Sequence, residues 1–355
     1  MDARVIDETK LEAFVERAFG ELSAGYAGVL ISIGHKLGLF KAMVNAGRLT
    51  SAQLAAAAGC SERYVREWLN AQAAGGYVDY HADDGSYQLS PEQALVLADE
   101  DSDVFLPTAW EIPASMWFDE AQAINAIRSG EGVPWGDHSD RLYCGVAAIY
   151  RNAYVANLVQ EWLPALDGVV AKLDAGARVA DVGCGHGHST LLMAAAFENS
   201  TFHDFEPHKG SLDIAERLAG EAGLEKRVLF QEGKADNYPK LGYDLICFFD
   251  CLHDMGDPLA ALKHAAASLA DEGTLLLIEP AAGDRVEDNI NPTSRMYYAA
   301  STVLCCAHAI SENGPVVMGA QAGQSRLRSL CRAAGLNHFR VAAETPFNMV
   351  LEVGK

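Results

Sequence analysis

The stretch VADVGCGHGHST at 179–190 constrains the fold more than any other part of the chain. A short apolar run ends on Asp181-Val182, then Gly183, Gly185 and Gly187 alternate with other residues, and a helical pattern follows at once. Glycine lets the backbone turn sharply and leaves room for a ligand where a Cβ would stand. The helix start behind the turn offers unpaired N–H groups. Strand, glycine turn and helix in this order belong to a parallel sheet that binds its ligand at the carboxyl ends of the strands. The spacing is G-x-G-x-G rather than the G-x-G-x-x-G of dinucleotide folds, which disfavours a nicotinamide oxidoreductase.

The rest of the second half agrees with that frame. RVADVG (178–183), TFHDFE (201–206), VLFQEG (228–233), YDLICFF (243–249) and TLLLIEP (274–280) read as strands, with helices expected at 189–197, 210–222 and 258–270. Such alternation gives a parallel sheet covered by helices on both faces. Two final runs, HFRVAAE and FNMVLEV, are expected to add an edge hairpin.

Upstream, residues 8–45 carry a helical pattern with Leu11, Phe14, Val15, Ala18 and Phe19 on one face. Thr50 or Ser51 is expected to cap a short helix that Gly59 ends, and Ser61 a second that stops at Gly75-Gly76. Tyr77–Tyr80 and Ser86–Leu89 flank an Asp-Asp-Gly turn and read as a hairpin. Helix, turn, helix, hairpin is the layout of a winged helix. Its charges argue against DNA: residues 1–100 hold eight basic and fourteen acidic side chains. The second helix mixes Arg63 and Arg66 with Glu62 and Glu67, whereas a recognition helix brings cations to the groove. A chain with a net charge of −21 repels a phosphate backbone overall, so no nucleic-acid partner is expected.

The domain reading is therefore 1–100, a winged-helix and dimerisation domain; 101–165, a helical connector with Trp110, Trp117 and Trp135; and 166–355, the ligand-binding domain. The acidic N-terminus lacks the layout of a signal peptide, and no apolar run reaches the ~20 residues of a membrane span. The eight cysteines include no CxxC pair and read as free thiols in a reducing compartment, so a cytoplasmic location is expected.

Three further motifs fall at the ends of the later strands. Glu206 closes the second, 21 residues after Gly185, where a carboxylate accepts hydrogen bonds from ribose hydroxyls; Asp204 is the alternative, one pleat pair earlier. Gly233-Lys234-Ala235 follows the third strand, and FFDCLHDMGDP (248–258) the fourth. With these in register the chain resembles the class I S-adenosylmethionine (SAM) dependent methyltransferases of the bacterial group with an N-terminal winged helix. Its layout is also similar to the plant-type small-molecule O-methyltransferases.

The resemblance implies a doubly wound, seven-stranded, Rossmann-like α/β methyltransferase domain and a homodimer. It implies a SAM site at Asp181, Gly183, Cys184, Gly185, Gly187, Glu206, Pro207, His208, Gly233, Lys234, Ala235, Phe249, Asp250 and Cys251. Lys234 stands where that family often has an Asp against the adenine. The family's HD pair maps onto His253-Asp254, making His253 the candidate general base, and its orienting glutamate onto Glu279; Met255 replaces a Trp. An imidazole near neutrality suits proton removal, and a neighbouring carboxylate holds its tautomer. A purely structural histidine at this loop is the competing reading. Acceptor contacts are expected from the connector, from RMYYAAST (295–302) and from Phe347-Asn348. The acceptor is expected to be a small molecule, methylated at oxygen. A SAM-binding winged-helix regulator without methyl transfer is the alternative. No metal is expected: His186 and His188 lie in the glycine loop and His203 and His208 flank the second strand, and an ion held among them would block the cofactor loop.

Overall fold

The computed structural model describes residues 6–355; Met1–Val5, where the first expected domain begins, lie outside the described residues. By packing, the chain divides into two units. One runs to Ala114 and takes in Cys144–Asn152; the other holds Ser115–Tyr143 and Ala153–Lys355. The segment expected as a connector is thus divided between them.

In the first unit the helical pattern over 8–45 becomes two helices, Glu8–Lys36 and Leu39–Met43, because Gly38 turns the chain in the left-handed region (φ +67°). Thr50 caps Ser51–Ala58 in a capping box with Gln53, and Gly59 ends it. Helix Glu62–Ala74 follows, then the antiparallel strands β1 (Asp79–His81) and β2 (Ser86–Gln88). This is the expected winged helix. Its core gathers Phe40, Leu54, Val65, Trp68, Leu69 and Tyr87, and the Trp68 indole N–H donates to the Leu30 carbonyl at 2.8 Å. The cations expected at a DNA-reading face are paired locally. Arg63 meets Glu67 at 2.5 Å, Arg66 meets Glu62 at 3.2 Å, and Arg48 meets Asp83 of the wing at 2.9 Å.

The second unit is built on β3 (Arg178–Val182), β4 (Thr201–Glu206), β5 (Val228–Glu232), β6 (Tyr243–Phe249), β7 (Leu269–Pro280), β8 (His338–Glu344) and β9 (Asn348–Gly354). They form one sheet in the order β5-β4-β3-β6-β7-β9-β8. β3 to β7 are parallel; β9 runs antiparallel to both β7 and β8. The final hairpin is therefore only half an edge, since β9 inserts between β7 and β8. Burial explains this: six of the seven β9 residues are buried, while β8 is mostly half-exposed. A run that apolar needs a strand on each side. Strand order reverses between β3 and β6, which opens a crevice at their carboxyl ends. Among the described residues no helix is long and apolar enough to cross a membrane.

Candidate functional site

The glycine turn sits at that crevice. Gly183, Gly185 and Gly187 all have positive φ (+79°, +54° and +73°). A Cβ on Gly183 would lie 3.0 Å from Cys251 Sγ, and one on Gly187 would lie 2.8 Å from the Phe230 ring. A Cβ on Gly185 would meet nothing within 4 Å. Two of the glycines thus allow close packing of the turn, and the third leaves an open face for a ligand.

Glu206, at the carboxyl end of β4, addresses that face. It is buried, and it accepts from the Gly185 N–H at 3.0 Å and from the His208 N–H at 2.9 Å. Burial raises its pKa, and the two N–H groups oppose the rise. His208 caps the next helix, Lys209–Ala222, through Ser211, and its ring stacks on Tyr143 at 4.4 Å. The Tyr143 hydroxyl donates to the Trp135 carbonyl at 2.5 Å. Pro207 is exposed beside this pair. After β5, Gly233 donates to the Glu206 carbonyl, the Lys234 N–H to Asn237 Oδ1 at 3.1 Å, and Ala235 packs on the core. The backbone turn is thereby held without the Lys234 side chain.

Asp181 has no solvent contact. Its Oδ2 accepts from Ser189 Oγ at 2.5 Å and Thr190 Oγ1 at 3.0 Å, which ties β3 to the first turn of helix His188–Ala196. It braces the glycine turn from beneath. Asp204 is its register partner on β4, fully buried and with no hydrogen-bond partner for its carboxylate oxygens among the described residues, and Cys247 is the register partner of Asp181 on β6. Burial pushes Asp181 up to about 7, against its two hydroxyl donors and with help from the Glu206 charge. Burial and the Asp181 charge push Asp204 well above the carboxylate range, and burial likewise raises the Cys247 thiol.

A buried acid with a raised pKa binds a proton in the folded state that the unfolded chain releases, so stability falls as pH climbs from ~4 towards 7. Asp181→Asn keeps an acceptor for both hydroxyls and removes that titration. It is expected to gain on the order of a few kcal/mol over the parent at pH 8, because each tenfold change in proton affinity is worth ~1.4 kcal/mol, and much less at pH 5. Urea unfolding at the two pH values measures it, and a gain independent of pH would refute the assignment.

At the end of β6, Phe249 packs against Tyr154 at 5.2 Å. Asp250 is left-handed (φ +49°) and donates its N–H to Ile278. Asn348 Nδ2 donates to both of its carboxylate oxygens, at 2.8 and 2.9 Å. Burial, and next the Glu279 charge, push Asp250 well above the usual range. Cys251 Sγ donates to the Val182 carbonyl at 3.2 Å, so this thiol closes the gap between β3 and β6.

His253 is buried in the turn after β6. Its Nδ1 lies 2.7 Å from Glu279 Oε2 at the end of β7, and its Nε2 lies 3.0 Å from Asp254 Oδ1. The other Glu279 oxygen accepts from the Leu252 N–H at 3.1 Å. Burial works against a charged imidazole, but the Asp254 and Glu279 carboxylates outweigh it and hold His253 well above its ordinary value. Asp254 is held low by His253, although burial opposes this.

The residues expected at the acceptor side fall into two groups. Tyr297, on helix Pro292–Val303, donates to the Phe347 carbonyl at 3.0 Å, and Phe347 is half-exposed. Asn348 instead is buried and serves Asp250. Tyr143 beside His208 and Asn348 on Asp250 carry no local signal of these roles, because each pairing joins elements far apart in the chain.

Residues 25–99 match a family model described as the Rv2258c-like winged HTH domain, and residues 150–311 match one described as a methyltransferase domain. The chain is 30% identical over 107 residues to the 27-O-demethylrifamycin SV methyltransferase of Amycolatopsis mediterranei, covering 30% of this chain and 39% of that one. It thus spans less than half the length of that curated relative. Among solved structures, human N-acetylserotonin methyltransferase in complex with SAM aligns with a TM-score of 0.71 at 17% identity, covering 100% of this chain and 99% of that one. An O-methyltransferase from neocarzinostatin biosynthesis, in complex with S-adenosylhomocysteine and 1,4-dihydroxy-2-naphthoic acid, aligns at 0.63 and 19% identity, covering 95% and 98%. These two share the fold.

Proposed function

We propose that this chain, which joins a winged helix-turn-helix domain to a methyltransferase domain, is a SAM-dependent O-methyltransferase of a small-molecule acceptor. The observation that carries the reading is the pairing of two features of one crevice. An open glycine turn with a buried carboxylate beside it (Gly185, Glu206) is joined at the next strand ends by an imidazole held on both sides by carboxylates. The first is what a nucleoside donor needs; the second is what an acceptor hydroxyl needs.

Glu206 is suited to hold the ribose hydroxyls, the turn from Gly183 to Gly187 the amino-acid end, and Phe249 to Cys251 with Gly233 to Ala235 the remaining edge. Bound there, SAM supplies a methyl group already activated by a sulfonium charge. The protein's part is orientation and proton removal. Glu279 accepts a hydrogen bond from Nδ1–H and positions the ring, so that in the neutral imidazole Nε2 takes the acceptor hydroxyl's proton as oxygen forms its bond to the methyl carbon and the C–S bond of SAM breaks. The two carboxylates stabilise the resulting imidazolium and make Nε2 a stronger base than free imidazole.

Isothermal titration with SAM and S-adenosylhomocysteine tests the reading first, followed by methyl transfer to a panel of phenolic and other hydroxylated acceptors. Saturable binding of both supports it, and binding of neither overturns it. The alternative, a regulator that reads DNA, is disfavoured by the ion pairs that hold Arg63 and Arg66 to acids of their own helix and Arg48 to Asp83 of the wing. A mobility-shift assay at low salt separates the two.

A homodimer is part of the proposal. Helix Glu8–Lys36 shows one stripe of apolar side chains at helical spacing (Leu11, Phe14, Phe19, Leu22, Tyr26, Val29), with Phe19 70% and Tyr26 77% exposed. A stripe of that length on a soluble surface calls for a partner, and a second copy offers the matching stripe. Phe19→Glu is expected to shift the mass seen by light scattering from two chains towards one; an unchanged mass would place the interface elsewhere.

A further inference from the structure

We propose that His253, Asp254 and Cys305 form a binding site for a borderline-soft divalent cation of the zinc class. One ligand atom from each lies within 4.8 Å of the others. His253 and Asp254 come from the turn Leu252–Asp254 behind β6, and Cys305 opens helix Cys305–Ser311. His253 and Cys305 are both buried, so an ion there would be shielded from water on most sides.

The imidazole is already arranged as a ligand. Glu279 holds Nδ1 at 2.7 Å and is itself fixed by the Leu252 N–H, which leaves Nε2 as the nitrogen facing Asp254 and Cys305. A carboxylate on the far nitrogen is the usual support for a metal-bound histidine, fixing its tautomer and orientation. Asp254 supplies the second sign. Its Oδ1 faces Nε2 at 3.0 Å as an ion pair and has no other hydrogen-bond partner among the described residues. A cation between the two groups would replace the imidazole proton that now joins them and keep both donors compensated.

Thiolate, imidazole and carboxylate together select zinc-like ions over magnesium or calcium. Tetrahedral bonds of ~2.0–2.3 Å put donors ~3.3–3.8 Å apart, so the cluster closes on an ion with shifts of about an ångström. Three protein donors leave a fourth position open. Binding releases the Cys305 thiol proton, together with any proton on Nε2. His186 and His188 of the glycine turn are not involved. One functional consequence follows: the Nε2 lone pair cannot hold a cation and take the acceptor's proton at once, so an occupied site blocks methyl transfer. That consequence rests on the function proposed above; the binding does not.

The test is a cobalt(II) titration of the full-length, tag-free, chelator-treated protein, followed by absorption. One equivalent is expected to saturate a thiolate-to-cobalt charge-transfer band that zinc then displaces. Cys305→Ser is expected to remove the band and weaken zinc binding on the order of 100-fold or more, since even residues that only orient a ligand contribute 10–100-fold. Cys306→Ser, whose Sγ lies against Ser301 Oγ at 3.5 Å, keeps the band and serves as control. Absence of a saturable one-equivalent band, or a band that survives Cys305→Ser, overturns the site. With an acceptor in hand, zinc inhibition should track occupancy and reverse with chelator; turnover by the zinc-loaded protein overturns the blocking role. A chain that fails to bind SAM but shows the cobalt band would refute the proposed function and leave this site standing.

Discussion

His253→Gln is expected to lower kcat by ~10²–10⁴-fold, the usual contribution of a positioned general base, while SAM affinity stays within a factor of about two. Glutamine reaches a similar distance from the backbone and offers a polar group to Glu279, so the turn behind β6 keeps its anchor. What it lacks is an atom that takes a proton. The split between turnover and binding separates the two readings of this histidine. A structural His253 would, on replacement, loosen the Leu252–Asp254 turn and the neighbouring Phe249–Cys251 segment, and SAM binding would suffer with it. Full retained activity would remove the base role. Glu279→Gln probes positioning: kcat is expected to fall with little change in KM, because the ring loses its oriented tautomer rather than its acceptor contacts.

Glu206→Ala is expected to weaken SAM binding by ~10²–10⁴-fold, from the loss of two charge-assisted hydrogen bonds at ~1.5–3 kcal/mol each. The substitution also strips the acceptor from the Gly185 and His208 N–H groups, so the turn that forms the open face loses its brace. Glu206→Gln should fall between, since an amide keeps one accepting oxygen. Asp204→Asn is the control. Asp204 lies two residues back on the same strand, fully buried beside Asp181, and its loss should leave SAM affinity within a few-fold. Calorimetric titration of the three variants reads the outcome, and Asp204→Asn weakening SAM more than Glu206→Ala would reverse the assignment of the ribose acid.

The two acids show how far the chain could be read without its fold. Alternation along β4 puts Asp204 and Glu206 on one face, and only the strand end distinguishes them, which places Glu206 at the crevice. The glycine turn is legible for a similar reason: its backbone demands are local, and Gly183, Gly185 and Gly187 satisfy them with left-handed φ angles. The winged helix is legible through its caps, Thr50 with Gln53 and the left-handed Gly59. The central place of β9 was less accessible. A hairpin signal fixes that two strands pair, but not which of them meets the rest of the sheet; that depends on which edge the neighbouring β7 leaves unpaired.

Local chemistry, then, was set by the sequence alone: strand, turn and helix order, the acid at a strand end, the imidazole with an acid after it. Each of these depends on residues within a few positions of one another, where backbone geometry and side-chain period leave few options. Only the tertiary structure decided the partners. Asn348 on Asp250, Tyr143 on His208, and Cys305 beside His253 and Asp254 join residues separated by 98, 65 and about 50 positions. Such pairings arise when the sheet closes and helices dock on it, and packing across the whole core, rather than any local preference, selects among them.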